Sequence, residues 1–300
     1  MALTRMTEAA QNDAKLRAFA AAAAGGDRAA AQELLENLQD PVYRLALRML
    51  GHPADAEDAT QEILVVVLTH LAAFRGESAL FTWVFRIAAS YLMKAKRGRR
   101  ELLDFDTLAG RLDAGMRSEV HSGALPDPEE ELLALEIRLR CTEGMLLSLD
   151  RESRLAFVLG EIFELSGDDA AQVLELEPAA YRKRLSRARQ SLLGFMRQRC
   201  GVYDEQNACR CKRQVAPALA AGRLERADLP LARHPLRADA TRQLPISVDA
   251  ERVQRGAREV SELMRVADVM RGHPDYATPE RVLEQLRDLL AAGRFELLRD

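Results

Sequence analysis

Apolar side chains recur along this chain at steps of three and four, the spacing that gathers them on one face of an α-helix. The most informative run is residues 166–196, SGDDAAQVLELEPAAYRKRLSRARQSLLGFM. Within it Tyr181, Leu185, Ala188, Leu192 and Phe195 form one stripe, and Arg182, Lys183, Ser186, Arg187 and Gln190 fall off it. Ala170, Ala171 and Leu174 give an inner face to a shorter helix before it, over roughly Asp168 to Leu174. Pro178 suits the first turn of the second helix, where its missing N–H costs nothing. Two helices meeting at a tight turn, the second basic on its outer face, have the layout of a helix-turn-helix whose second helix can enter a major groove. A helical hairpin with a solvated basic face gives the same pattern. The rest of the chain has to decide.

Upstream, residues 4–24 predict an alanine-rich helix ended by Gly25 and Gly26. Asp27 can cap a helix carrying Ala30, Leu34, Leu35 and Leu38, and Asp40-Pro41 gives a second cap and first-turn signal before Val42, Leu45, Ala46 and Met49. Pro53 opens the next helix, with Asp55, Glu57 and Asp58 crowding its positive end. Its buried stripe is Ile63, Leu64, Val67, Leu68 and Leu71. Gly76 breaks the chain, Ser78 or Thr82 can cap, and Trp83, Ile87 and Tyr91 lie four apart. The lone tryptophan reads first as a core residue. The helix ends in Lys94, Lys96, Arg97, Arg99 and Arg100, more cations than a helix dipole calls for, which points to phosphate contacts. Residues 101–128 lose periodicity and read as a linker. Beyond them, Leu132, Leu135, Leu139 and Thr142, then Leu155, Val158, Leu159 and Ile162, supply two more stripes.

Composition agrees with an all-α chain. Alanine and leucine dominate and aromatics are only 5%. A net charge of -3 does not advertise nucleic-acid binding, so such a role must rest on local patches. No run approaches the ~20 apolar residues of a membrane span. The first residues do not resemble a signal peptide, so a cytoplasmic location is expected, with no membrane partner. There is no glycine-rich phosphate loop, no catalytic pairing of histidine and acid and no nucleophile elbow, so no enzyme is indicated.

Three stretches together resemble the sigma-70 family of RNA polymerase sigma factors: PVYRLALRMLGHPADAEDATQE, then FRGESALFTWVFRIAASYLM, then SLDRESRLAFVLGEIFELSGDDAAQVLELEPAAYRKRLSRARQSL. Residues 41–100 are similar to region two and 145–196 to region four. The short linker resembles the extracytoplasmic-function group. The chain departs from the usual pattern at Ser90, at Asp169-Ala170-Ala171 and at Tyr181-Arg182. The resemblance implies a region two-like domain over 1–100, a flexible linker over 101–128 and a region four-like domain over 129–199, followed by a cysteine-rich segment at 200–214 and a helical extension at 215–300. It implies RNA polymerase core and promoter DNA as partners, with an anti-sigma factor as a further candidate. Asp55, Glu57, Asp58, Gln61 and Glu62 match the polymerase-docking helix. Arg75, Ser78, Thr82, Trp83, Arg86, Ser90, Lys94, Lys96 and Arg97 belong to the stretch that captures melted −10 bases and its basic rim. Ala179, Tyr181, Arg182, Lys183, Arg184, Ser186 and Arg187 belong to the −35 reading helix. The runner-up is a stand-alone helix-turn-helix regulator that binds its operator without polymerase.

Cys200, Cys209 and Cys211 follow the reading helix closely. Three thiolates can bind zinc or another thiophilic metal, with Cys141, His234, His273 or solvent as a fourth ligand, although the spacing is not that of a standard zinc finger. Unrelated reduced thiols, or a redox pair, fit the same residues. Residues 212–246 have no clear period and read as a loose arm. Two amphipathic helices follow, one from Ser247 through Val253, Val260, Leu263, Met264 and Ala267, the other from Thr278-Pro279-Glu280 with Val282, Leu283, Leu286, Leu289 and Leu290. Neither can bury its face alone, so both should dock, as a structural clasp or as a mask over a working surface.

Overall fold

Helix ends, more than helix faces, decide how this chain packs. The computed structural model describes residues 2–95, 104–118, 128–235 and 258–292, with no β-strand among them. The first body holds α1 (Ala2–Ala24), α2 (Arg28–Leu50), α3 (Pro53–Thr69) and α4 (Leu80–Lys94). Asp27 caps α2 by accepting from the Ala30 N–H at 3.0 Å. Gly51, at φ 68°, closes the same helix in the left-handed region, and a β-carbon there would strike Leu147. α2 runs unbroken through Pro41. The expected second start at Asp40-Pro41 is thus a mid-helix position, held because the apolar stripes on both sides face a common core.

α5 (Phe105–Arg117) lies within the stretch expected to be linker. Asp104 caps it through the Thr107 N–H, and Leu108 and Ala109 bury against the rest. The second body contains α6 (Pro128–Leu147), α7 (Arg151–Phe157), a π-helical turn at Val158–Ile162, α8 (Gly167–Val173) and α9 (Pro178–Arg199). α10 (Cys211–Ala220) follows, in a region that reads as loose in sequence, and packs on α6 through Val215 and Ala218. Leu224, Leu229 and Leu231 beyond it are buried too. α11 (Arg258–Arg271) and α12 (Glu280–Ala291) complete the chain.

The two bodies share one hydrophobic core. Arg154 of α7 is 2% exposed. Its guanidinium donates to the carbonyls of Leu146, Leu147 and Leu149 around the end of α6, and to the Met49 carbonyl at the end of α2. Arg151 does the same for α4, donating to Leu92, Met93 and Ala95 at 3.1, 3.1 and 2.6 Å. The last carbonyls of a helix have no partner within it, and their partial negative charge favours a cation. Arg48 of α2 meets Glu143 of α6 at 2.6 Å, both buried. In this structure the two bodies are closed on each other through these groups.

The extension adds two buried histidines to this seam. His273 Nε2 lies 2.6 Å from the Thr142 hydroxyl, and His234 bonds the Tyr43 hydroxyl. Burial first, then the charges of Arg48 and Arg138, hold His273 well below its ordinary 6.5. Burial also lowers His234. Both are neutral in the fold and protonate near 6.5 when unfolded. Their contribution is fully present above pH 6.5 and is lost as pH falls toward the folded values. The midpoint of thermal unfolding should therefore drop between pH 6.5 and 5, and His273→Gln should flatten that drop. Arg154→Met leaves several buried carbonyls without a donor and should cost about 3 kcal/mol in urea unfolding; a loss below about 0.5 kcal/mol would contradict the capping role.

Candidate nucleic-acid interface

α8 and α9 form the helix-turn-helix. Ser166 caps α8 through the Asp169 N–H at 3.1 Å. Glu175 turns the chain at φ 53°, a conformation in which side chains other than glycine's are uncommon. Pro178 occupies the first turn of α9. Leu185, Ala188, Leu192 and Phe195 are buried, as the periodicity requires. Ala179, Arg182, Lys183, Ser186 and Arg187 are exposed on the opposite face. Two of the expected reading residues are not there. Tyr181 is 2% exposed and packs under the π-helical turn against Gly160, its hydroxyl facing the Ala156 carbonyl at 3.4 Å. Burial, then the charge of Glu161, pushes its pKa up to about 12. Tyr181 belongs to the core stripe and cannot meet a base edge. Arg184 is half-buried and paired with Glu152 of α7 at 2.7 Å, a contact of the fold.

The second surface is a cleft of about 330 Å³ before and along α4. Asp13 of α1 accepts from the Leu80 N–H at 2.8 Å and so caps α4 from a distance. Arg17 binds Asp13 at 2.5 Å and donates to the Gly76 and Ser78 carbonyls at 3.0 and 2.7 Å, splinting the loop. Neither residue was legible as part of the site. Phe74 and Trp83 meet at 5.4 Å between ring centroids and line the cleft, together with Arg75, Ser78 and Arg86. Among the described residues the buried Nε of Arg86 has no hydrogen-bond partner. Ser90 and Lys94 are exposed further along α4. Thr82 is the correction: at 5% exposure it faces inward beside Val84 and Phe85. Lys96 and Arg97 lie outside the described residues.

On α3, Asp55, Asp58 and Glu62 are exposed and Gln61 is half-buried. Tyr91 lies beside this face; its hydroxyl is raised by burial and by the charges of Glu62 and Asp58. Glu57, expected on the docking face, is instead 7% exposed and paired with Arg281 of α12.

The four cysteines converge. Cys200 and Cys209 are joined by an isolated backbone bridge, Cys211 opens α10, and Cys141 comes from α6. Burial raises every thiol, Cys211 to about 12, and neighbouring thiols push Cys141 and Cys211 further in the same direction. Gln214 Nε2 is 3.8 Å from the Cys209 sulfur. Among the described residues no group of three or more histidine, cysteine or acidic side chains is arranged to hold a metal ion. His234 and His273, candidate fourth ligands, are engaged with Tyr43 and Thr142 instead. Raised pKa values leave little thiolate near neutral pH in this arrangement. No helix of the described residues is long and apolar enough to cross a membrane.

Comparison with known proteins matches both surfaces to one family. Residues 34–101 match the family model described as Sigma-70 region 2, and residues 139–192 match Sigma-70, region 4. The chain is 32% identical over 172 residues to the RNA polymerase sigma-H factor of Pseudomonas aeruginosa, covering 56% of this chain and 86% of that one. It is 30% identical over 175 residues to the ECF RNA polymerase sigma-E factor of Haemophilus influenzae, covering 56% and 87%. With the ECF RNA polymerase sigma factor SigW of Bacillus subtilis it shares 28% over 169 residues, covering 56% and 89%. A solved structure, CnrH in complex with the cytosolic domain of CnrY, aligns over 61% of this chain and 97% of that one at 26% identity, with a TM-score of 0.43.

The exposure pattern on α9 separates two substitutions. Arg187→Ala should weaken binding to duplex bearing a −35 element and lower the slope of log affinity against log salt by about one. Tyr181→Phe should leave both unchanged, since the hydroxyl does not reach solvent. Equal loss from the two, read by fluorescence anisotropy across a salt series, would contradict the assignment of faces.

Proposed function

The chain belongs to the extracytoplasmic-function group of the sigma-70 family, whose members direct promoter-specific transcription initiation, and we propose how its three surfaces divide that work. α3 docks on RNA polymerase core through Asp55, Asp58 and Glu62. The cleft beside α4 takes an unpaired base of the −10 element. The outer face of α9 takes the −35 duplex, with Arg182, Lys183 and Arg187 on phosphates and Ala179 and Ser186 nearest the base edges.

The observation that carries this reading is the cleft. Extracting a base from its stack costs a few kcal/mol, least where the strand is already single. Stacking on an aromatic side chain returns about 1–3 kcal/mol per base. Trp83 with Phe74 supplies that stacking, and Arg75 and Arg86, which line the same cleft, supply the charge that holds the strand. Phosphate contacts on α9 fix register, and the small side chains Ala179 and Ser186 allow the helix to approach the base edges. Neither contact need be tight alone. Polymerase holds both at a fixed spacing, so the second binds at high effective concentration.

Run-off transcription with core polymerase tests this. The chain should bind core and direct initiation at a defined promoter. Trp83→Ala should reduce open-complex formation roughly tenfold to a hundredfold while leaving core binding intact. Asp58→Arg with Glu62→Arg should do the reverse, losing core binding first. Tight operator binding without polymerase, and no transcript with it, would favour the stand-alone regulator.

A further inference from the structure

The closed arrangement meets a constraint of scale. Gln172 of α8 lines the −10 cleft, and Phe85 of α4 meets Phe163, just upstream of α8, edge to face at 5.3 Å. The base-capturing cleft and the helix-turn-helix therefore share a wall. On duplex DNA, positions −35 and −10 lie about 25 base pairs apart by their numbering, roughly 85 Å at a rise of about 3.4 Å each. A compact chain of this length has a radius of gyration of about 19 Å and a diameter of about 50 Å. In this conformation the protein can engage one element and not both. The two bodies must part before initiation.

The family models end at residue 192, and the segment beyond reaches both bodies. α12 buries Val282, Leu286 and Leu290 where it packs on α2 and α3. Around that stripe Arg281 pairs with Glu57, and Arg287 with Glu36 at 2.9 Å. Just before it, Asp275 meets Arg44 at 2.8 Å, and Asp40 accepts from the Thr278 N–H at 2.9 Å. α11 grips the other body. Val266 and Met270 are buried where α11 packs on α9 and the π-helical turn, and Arg271 pairs with Glu161 and Glu164. His273 seals the corner between them on Thr142.

We propose that α11, α12 and the loop joining them form a clasp that holds this sigma factor shut, and that core polymerase opens it by competing with α12 for α3. The proposal rests on the initiation reading above. Arg281 gives Glu57 the cation that a basic docking surface on polymerase would give it. Asp55, Asp58 and Glu62 remain exposed on the same helix, so a basic partner has a place to land before α12 leaves. The ion pairs at α12 are partly solvated, each worth about 0–1 kcal/mol, so they can exchange one at a time. The direct seam between the bodies combines guanidinium groups on helix-end carbonyls with apolar packing, Phe85 lying on Phe163 at 5.3 Å and buried side chains of both bodies sharing one core. The apolar stripe of α12 adds to that seam from the α3 side, and α12 is the part of the closed arrangement that a partner docking on α3 must displace.

The test uses the full chain. Leu286→Glu breaks the apolar contact. A second variant, Asp275→Arg with Arg287→Glu, reverses two ion pairs, and adding Arg44→Asp with Glu36→Arg restores them in the opposite sense. Small-angle X-ray scattering of the free chain reports opening, far-UV circular dichroism reports retained helix, and run-off transcription at limiting core reports activity. Both opening variants should keep their helix content, expand clearly beyond about 19 Å, and raise transcript yield about tenfold. The four-fold variant should return to the compact size and low yield of the parent. Unchanged size in both opening variants overturns the clasp. Expansion with transcription unchanged or lowered overturns its inhibitory role. If the parent and the opened variants alike fail to bind core or yield transcript, the initiation reading falls and the inhibitory role with it, while the scattering curves still report whether the extension holds the bodies together.

Discussion

A buried guanidinium on the ends of helices is the interaction around which this molecule is arranged. An α-helix leaves its last carbonyls without partners, and burying them uncapped is costly. Arg154 answers for α2 and α6 at once, and Arg151 for α4. One short helix, α7, therefore fixes how α2, α4 and α6 meet. The ionic core at Arg48 and Glu143 lies in the same seam. Around these groups the seam is apolar, with Phe85 of α4 edge to face on Phe163 and buried side chains of both bodies in one core. The polar groups of the seam are satisfied when it is closed and can be hydrated when it is open.

The working surfaces remain outside that seam. The cationic face of α9 is exposed, and the cleft beside α4 opens to solvent with its aromatic pair in place. What closure limits is reach, since the cleft beside α4 and the outer face of α9 lie within the diameter of one small protein. α1 acts on the cleft from the far side: Asp13 and Arg17 fix the loop that carries Phe74 and Arg75, so the pocket is formed before any strand arrives.

Much of this was legible in the chain. The stripe of α9 was read correctly because Leu185, Ala188, Leu192 and Phe195 repeat at the helical period over several turns. Tyr181 shows what happens when two lines of reasoning meet at one residue. Its place in the stripe said core, its place in the family motif said DNA, and the period won, because one helical position cannot face both ways. Thr82 failed for the same reason, sitting on the Val84 and Phe85 side of α4. α5 was missed because Gly110 and Gly115 weakened its period, although Asp104 stood at its start as a cap. α10 hid behind Pro217. The docking of α12 could not be read at all: its amphipathic face required a partner, but nothing in the order of residues says that Arg281 meets Glu57 rather than any other carboxylate. Nor do cysteine spacings reveal that Cys141 joins the other three, since that depends on α10 packing against α6.

The central claim is that one chain holds two DNA-reading surfaces together at rest and far apart at work. Fluorophores at the exposed positions Ala72 and Ser191, one near the cleft and one on α9, measure it directly by energy transfer. The free chain should give a separation within about 50 Å. The same pair in the initiating complex with core polymerase and promoter should lengthen by tens of ångströms, as two sites roughly 85 Å apart on DNA demand. A short distance that persists in a transcribing complex would contradict the account.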